Sequence, residues 1–540
     1  MSAQATTARQ PGPAQVQPLL AALQQGRFAE AERLARELLR QFPEAMLALS
    51  VLGTSLAQMG RPAEAVEPLT RALRLAPQSA EAHFNLAAAL TAAGRPLEAE
   101  SAWRQVLALN PRIAVAHFNL GAILQGAGRA DEAMNCYRRA IELQPDLVPA
   151  IGNLGSLLQA AGRLPEAIDC YRRCLVIRPD ARAHFNLGTA LRDAGRLEPA
   201  AASYREALAL EPAYAEAWNN LGEIERDLGQ FDAALASFAA ALRARPDYGP
   251  PHYNTGIYLY DSGRLGEAIP HFEASRHEDW AERVLVCLYK TRQYEAFRER
   301  FNAFLAAPHR SPMAANLAAH HAANFGLSDP YRFCPDPIGH VWHTRVDALT
   351  ESGNDLRARL LADITQAQID ERNQGRLHHG VQSAGNLFKR PERSFAELAA
   401  LILERAREYA RHFAGSDCVY IRDFPREPAF NSSWYVRMRQ GGHLDSHIHE
   451  TGWMSGCVYL DMPTRKEDED DACIEFSIDG DHYPREAEHF QSLTLRPLTG
   501  DLVFFPSSLF HRTLPFSAPV ERTCIAFDIA PPAAIGGEQA

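Results

Sequence analysis

The densest chemistry in the chain lies between Gly441 and Glu450, where His443, Asp445, His447 and His449 alternate with Leu444, Ser446 and Ile448. In an extended segment successive side chains point to opposite faces, so all four polar residues are expected on one side. Imidazoles crowded on one face repel one another once protonated, unless something organises them in the neutral form. A metal ion does so, because it is the neutral ring that binds. A lone histidine would be an ordinary surface or core residue; three histidines and an aspartate in seven residues point to metal ligation. Downstream come the apolar run Leu502-Val-Phe-Phe505, a short loop, His511, and Arg522 eleven residues further on.

Together these segments resemble the 2-oxoglutarate- and iron(II)-dependent oxygenases. They are closest to a bacterial and phage subfamily found behind repeat arrays, in which an H-x-H step precedes an S-G-x-x-Y-L strand. The matching residues are His447-Ile-His449 and Ser455-Gly456-Cys-Val-Tyr459-Leu460, and the resemblance covers about residues 350 to 530. It implies Fe(II) held on one face of an octahedron, leaving positions for an oxo-acid and O2. The distal carboxylate of the co-substrate, 2-oxoglutarate, would lie in the planar fork of Arg522, with a phenolic hydrogen bond from Tyr459. Most such oxygenases use H-x-D/E with a distal histidine. Aligning on Ser455-Gly456 gives His447, His449 and His511 instead; a literal H-x-D reading gives His443, Asp445 and His511; Asp445-x-His447 is a third arrangement. The expected set is His447, His449 and His511. The implied activity is hydroxylation of a protein or peptide, with release of succinate and CO2. Two other classes remain open: a scaffold with a degenerate jelly roll, and a cupin-like metalloenzyme or lectin fold without 2-oxoglutarate. Neither needs a buried cation at position 522.

The elements positioning these residues are mostly short and β-rich. Strands are expected near Cys418–Asp423, Ser433–Gln440, Met454–Asp461, Ala472–Ile478, Ser492–Arg496, Asp501–Phe505 and Glu521–Ile529, with Asp479-Gly480 and Thr499-Gly500-Asp501 as turns. Two amphipathic helices are expected after Asn354. In the second, Ser394–Glu397 reads as a capping box, and Phe395, Leu398, Leu401, Ile402 and Tyr409 form the apolar stripe. Seven or eight strands behind two helices predict a double-sheet jelly roll, the double-stranded β-helix. The run Lys466–Asp471 is expected to be a solvated loop.

The first half is periodic. Glycines followed by Arg or Gln recur at Gly26, Gly60, Gly94, Gly128, Gly162, Gly195, Gly229 and Gly263, each step 34 residues except one of 33. Prolines from Pro43 to Pro246 and small residues from Ala31 to Ala268 keep the same beat. Glycine ends a first helix where a left-handed backbone is needed, proline ends the second, and the small residue permits close helix approach. This is the tetratricopeptide spacing, with about eight repeats. Asn85, Asn119, Asn153, Asn186, Asn220 and Asn254 recur in phase, one per first helix. An amide both donates and accepts hydrogen bonds, so such a row can clamp a peptide backbone without reading its side chains. The row resembles the asparagine-ladder repeats of the protein O-GlcNAc transferases. The competing reading is that these amides bond within the array or face water.

The whole is an α+β multidomain chain: a flexible tail over 1–13, an all-α repeat solenoid over 14–280, a helical linker over 281–345, and the oxygenase-like jelly roll over 346–540. A single core does not serve 540 residues. Net charge is −11 with no basic block, which argues against nucleic acid as a partner. No apolar run is long enough to span a membrane, and the first residues lack the form of a signal peptide. The nine scattered cysteines, without a C-x-x-C pair, suit a reducing, cytoplasmic compartment.

Overall fold

Glycines with a positive φ of 69–75° stand at all eight repeat positions from Gly26 to Gly263, and each turns the chain between two helices. The structure is a computed structural model describing residues 10–306, 310–350, 355–366, 369, 371–372, 375–463 and 470–532. Most of the N-terminal tail, and residues 466–469 of the run Lys466–Asp471, lie outside the described residues. The chain divides into two compact units, residues 1–248 and 249–540.

The first unit holds seven helix pairs, from Pro13–Gln24 with Phe28–Gln41 to Ala215–Asp227 with Phe231–Ala244. Each second helix stops two residues before its proline, as at Leu75 before Pro77 and Leu109 before Pro111. The phased alanines Ala31, Ala65, Ala99, Ala133, Ala167 and Ala200 have no exposed surface, because the paired helix packs directly over them. A second close approach was not anticipated. A Cβ on Gly188 would lie 2.7 Å from the ring of Tyr204, so only glycine lets that aromatic residue seat against the first helix.

The second unit begins with five helices: Gly249–Asp261, Leu265–Ser275, Trp280–Lys290, Tyr294–Leu305 and Pro312–Phe325. Ten strands follow, interrupted by two longer helices. The strands are β1 (Trp342–Arg345), β2 (Glu371–Arg372), β3 (Leu377–Ser383), β4 (Phe430–His447), β5 (Met454–Asp461), β6 (Ile474–Ser477), β7 (Ser492–Leu495), β8 (Asp501–Pro506), β9 (Phe510–Thr513) and β10 (Arg522–Ile529). All pairings are antiparallel, in the order β1-β8-β5-β10-β4-β9-β6-β7, with β3 also on β4. The curl of this jelly roll rests on β4. Its first half pairs with β10 (Met438↔Arg522) and its end with β9 (His447↔His511). Between them Gly441 takes φ +78° and donates its N–H to Phe516 O at 2.8 Å.

One face of β8, β5 and β10 packs on the helices Leu356–Gln366 and Arg393–His412 through Phe504, Val458, Ile525 and Phe527, against Leu360, Phe395, Leu398 and Ile402. The other face holds Cys457, Tyr459, Val503, Phe505 and Cys524. Burial on both faces makes these strands near-continuous apolar runs.

Three expectations are corrected. Cys418–Asp423 is not a strand; Val419–Arg422 is one helical turn. Its backbone closes i to i−4 hydrogen bonds, Arg422 N–H to Cys418 O at 3.0 Å and Asp423 N–H to Val419 O at 2.9 Å. The segment Ser394–Glu397 is not a capping box. The helix starts at Arg393 behind Glu392, and the buried Ser394 hydroxyl donates to Asp363 while Glu397 pairs with Arg359. Strands β1, β2, β3 and β9 were not expected, and β1 falls at the end of the span read as a helical linker.

Candidate metal centre

The alternating histidines do not share one face. A register shift interrupts the β4–β9 ladder between Leu444 and His447, and β4 ends at His447. His443 and Asp445 turn towards His378 on β3: His378 Nε2 lies 2.9 Å from Asp445, and the rings of His378 and His443 stack at 4.3 Å. His447 and His449 instead meet His511, and one ligand-capable atom from each of these three lies within 4.8 Å of the others. His447 and His511 face each other across the β4–β9 ladder, so sheet register sets their separation. The Nε2 atoms of His447 and His449 are 3.3 Å apart.

Each ring is oriented through its other nitrogen. His447 Nδ1 meets Asp445 O at 2.8 Å, His511 Nδ1 meets Leu509 O at 3.4 Å, and His449 Nδ1 meets Asp528 Oδ1 at 2.5 Å. An N–H donated on that side leaves Nε2 as a lone pair aimed inwards, the arrangement that supports metal-binding histidines. Asp528 is 4% exposed and also accepts from Ser455 at 2.6 Å and Ser432 at 2.9 Å. Burial opposes its charge, but His449 and these hydrogen bonds hold it below the ordinary carboxylate value. Burial, reinforced by His449, pushes His447 down to about 3. Burial, with His447 and His449, keeps His511 well below its usual value. Both rings are therefore neutral at neutral pH, as ligation requires.

The rings line a cavity of about 310 Å3 whose far wall carries Arg522 and Tyr459. Arg522 is 2% exposed and Tyr459 fully buried. The guanidinium carbon lies 5.3 Å from the Tyr459 ring centroid. Its Nη1 reaches only the sulfurs of Met438 and Cys524, at 3.6 and 3.7 Å. Among the described residues, Arg522 Nε and the Tyr459 hydroxyl have no hydrogen-bond partner. A buried cation without a carboxylate is costly; an anionic ligand entering the cavity would meet these donors. Trp434, Phe505 and Gly456 complete the wall.

Residues 432–528 match the family model described as "Putative 2OG-Fe(II) oxygenase". The segment is a domain of that family. Tetratricopeptide-repeat models match at 19–80, 51–103, 187–249 and 225–283, and also at 147–211 and 114–147. The oxygenase-family domain thus follows a tetratricopeptide array. Among solved structures the chain is similar to YrrB, described as a TPR protein with an unusual peptide-binding site. That match has 21% identity over 34% of this chain and 95% of that one, with a TM-score of 0.32. It is also similar to pilF of Pseudomonas aeruginosa (23% identity, 37% and 92% covered, TM-score 0.33). A MamA fragment from Desulfovibrio magneticus RS-1 matches at 20% identity (31% and 95% covered, TM-score 0.30). No match is found among curated proteins.

Sequence reasoning missed Asp528. Its signal was a lone carboxylate in the otherwise apolar strand Cys-Ile-Ala-Phe-Asp-Ile. It also missed two ties from the helices of the same unit to the site loops. Arg283 pairs with Glu450 at 2.6 Å, beside His449, and Asn316 donates to Ser508 O at 2.8 Å, shortly before His511. In the array, Asn85, Asn119, Asn153, Asn186 and Asn220 are all half-buried. Asn153 donates to Tyr137 at 3.1 Å and Asn220 to Tyr204 at 3.4 Å. Asn153 and Asn186 line a polar cavity of about 720 Å3 with Arg182 and Asp193. Asn254, in the second unit, is also half-buried. No helix among the described residues is long and apolar enough to cross a membrane, and all nine cysteines are free thiols.

Proposed function

We propose that the chain is an Fe(II)- and 2-oxoglutarate-dependent oxygenase that hydroxylates a protein or peptide held by its repeats. The observation that carries this reading is the pairing, within one cavity, of three inward-facing imidazoles and the buried Arg522–Tyr459 pair. Neither a sugar-binding jelly roll nor a metal site without an oxo-acid needs that cation. His447, His449 and His511 would hold the iron through Nε2, and Arg522 and Tyr459 would take the distal carboxylate of the co-substrate. When bound, iron and 2-oxoglutarate would supply, with O2, the oxidative decarboxylation of 2-oxoglutarate to succinate and CO2, one oxygen atom going into succinate and the other into a substrate C–H bond as hydroxyl.

The protein's own contribution is positional. Asp528 keeps the proton of His449 on Nδ1, and its charge offsets part of the metal's from one bond further out. Burial keeps His447 and His511 unprotonated, so protons compete little with the metal. Phe505 and Trp434 give the cavity an aromatic wall. The asparagine row supports a polypeptide substrate through the amide groups that remain once Asn153 and Asn220 have donated to Tyr137 and Tyr204.

Anaerobic titration of the full chain with Fe(II), then 2-oxoglutarate, followed by exposure to air tests the reading. Saturable binding of both and succinate formation are expected, with coupled oxygen incorporation into the protein substrate. Iron binding without 2-oxoglutarate binding would refute the oxygenase assignment.

A further inference from the structure

A second cluster of metal-ligand type lies apart from the histidine centre and shares no residue with it. Cys334, His340 and Cys418 are 3%, 7% and 3% exposed, and one ligand-capable atom from each lies within 4.8 Å of the others. They come from two separate segments. A short backbone clasp joins these, with Val419 N–H donating to Arg332 O at 3.3 Å and Tyr420 N–H to Phe333 O at 2.9 Å. His340 is fixed on both sides: Nδ1 donates to Asp336 O at 2.7 Å, and its backbone carbonyl accepts from Tyr409 at 2.7 Å. The Nε2 lone pair is therefore directed at Ser416 Oγ, 3.0 Å away, and Cys418 Sγ, 3.9 Å away. Ser416 Oγ and Cys418 Sγ are 3.5 Å apart.

Cys334 Sγ lies 3.6 Å from Nδ1 of the same ring, and the three residues each bring one ligand-capable atom within 4.8 Å of the others. Burial does not demand this convergence, because thiols are weak hydrogen-bonding groups that bury readily without partners. A carbonyl-anchored imidazole facing two thiols is, by contrast, the donor set and outer support that zinc takes.

We propose that Cys334, Cys418 and the imidazole of His340 bind a structural Zn(II), with Ser416 Oγ beside the ring at the fourth position. Binding deprotonates both thiols and releases two protons. The ion ties the segment leading into β1 to the end of the helix Arg393–His412, behind the sheet face that packs on that helix. It is structural because Cys334, His340 and Cys418 are buried and the fourth position is already met by a side chain.

The test uses the full chain with zinc, and cobalt(II) as a coloured substitute. His511→Ala chain, dialysed against EDTA, should retain about one zinc per chain, and Cys334→Ser/Cys418→Ser on that background should lose at least nine-tenths of it. Should the double variant fold poorly, the unmutated chain decides. A thiol-specific mercurial should release zinc as two extra thiols react, and cobalt exchange should give a near-ultraviolet sulfur-to-cobalt band, which an all-histidine centre cannot produce. A chain that takes up neither zinc nor cobalt with that band overturns the proposal. So does denatured protein with only seven of its nine cysteines reactive, which would mean a disulfide instead of a metal.

Discussion

Replacing Asp528 by asparagine removes one negative charge behind His449 while keeping the shape of the side chain. The carboxylate is 4% exposed and accepts from His449 Nδ1 at 2.5 Å, Ser455 at 2.6 Å and Ser432 at 2.9 Å. The two hydroxyls rotate freely and can donate to or accept from an amide, so the variant should fold. What it loses is charge assistance to the ring. An outer partner of a metal-bound histidine is worth about 10–100-fold in metal affinity, or about 1.4–2.7 kcal/mol. Anaerobic competition against a chromogenic chelator, with Fe(II) or Co(II), should show a loss in that range for Asp528→Asn and a larger loss for His449→Ala. Wild-type affinity in Asp528→Asn would refute the orienting role. A loss as complete as that of His449→Ala would make the carboxylate itself a ligand, and the all-histidine assignment would fall.

Asp445→Ala should leave iron binding largely intact, because Asp445 bonds His378 at 2.9 Å instead of joining the three converging rings; complete loss of iron would restore the H-x-D reading. Arg522→Ala should weaken 2-oxoglutarate binding at least ~30-fold, in line with the ~2–5 kcal/mol of a buried charged hydrogen-bonded pair, with iron affinity nearly unchanged; isothermal titration in the presence of Fe(II) reads both. In the metal-free chain, His447 is pushed down to about 3 and His511 well below its usual value by burial. Unfolded histidines take up protons below about pH 6.5, so stability falls as pH drops from there towards about 3, by up to ~1.4 kcal/mol per pH unit for each ring. Thermal unfolding midpoints of metal-free His511→Ala should therefore fall less steeply across that window than those of wild type, and parallel curves would contradict the burial argument.

The repeats were legible because each structural need recurs in every copy: a left-handed turn at the glycine, a stop at the proline, a contact at the alanine. The strands at Met454–Asp461, Asp501–Pro506 and Arg522–Ile529 were legible because burial on both faces writes an apolar run. Short edge strands such as β1, with Trp342 and Thr344 alternating with His343 and Arg345, leave too few residues for a pattern to emerge. The turn Val419–Arg422 looked like a strand because Val, Tyr and Ile favour one in isolation; its actual conformation follows from tertiary packing. Which histidines converge could not be read from their spacing, because the register shift after Leu444 and the end of β4 at His447 are long-range features of the ladder with β9. The supporting contact between Asp528 and His449 spans 79 residues of sequence and has no local signature.

Alternation along β10 places Arg522, Cys524, Ala526 and Asp528 on the cavity wall and Ile525, Phe527 and Ile529 in the core beneath the helices. The strand therefore works as a caliper. On the proposed reading one jaw would be the cation for a distal carboxylate and the other the carboxylate behind a metal-facing ring, with a gap of six residues at ~3.3 Å each. Only whole two-residue steps could lengthen or shorten it, since a single insertion would send every jaw residue into the core and every core residue into the cavity. On that reading the backbone would set the length of the bound dicarboxylate in coarse increments, with fine discrimination left to the small side chains between the jaws, Cys524 and Ala526.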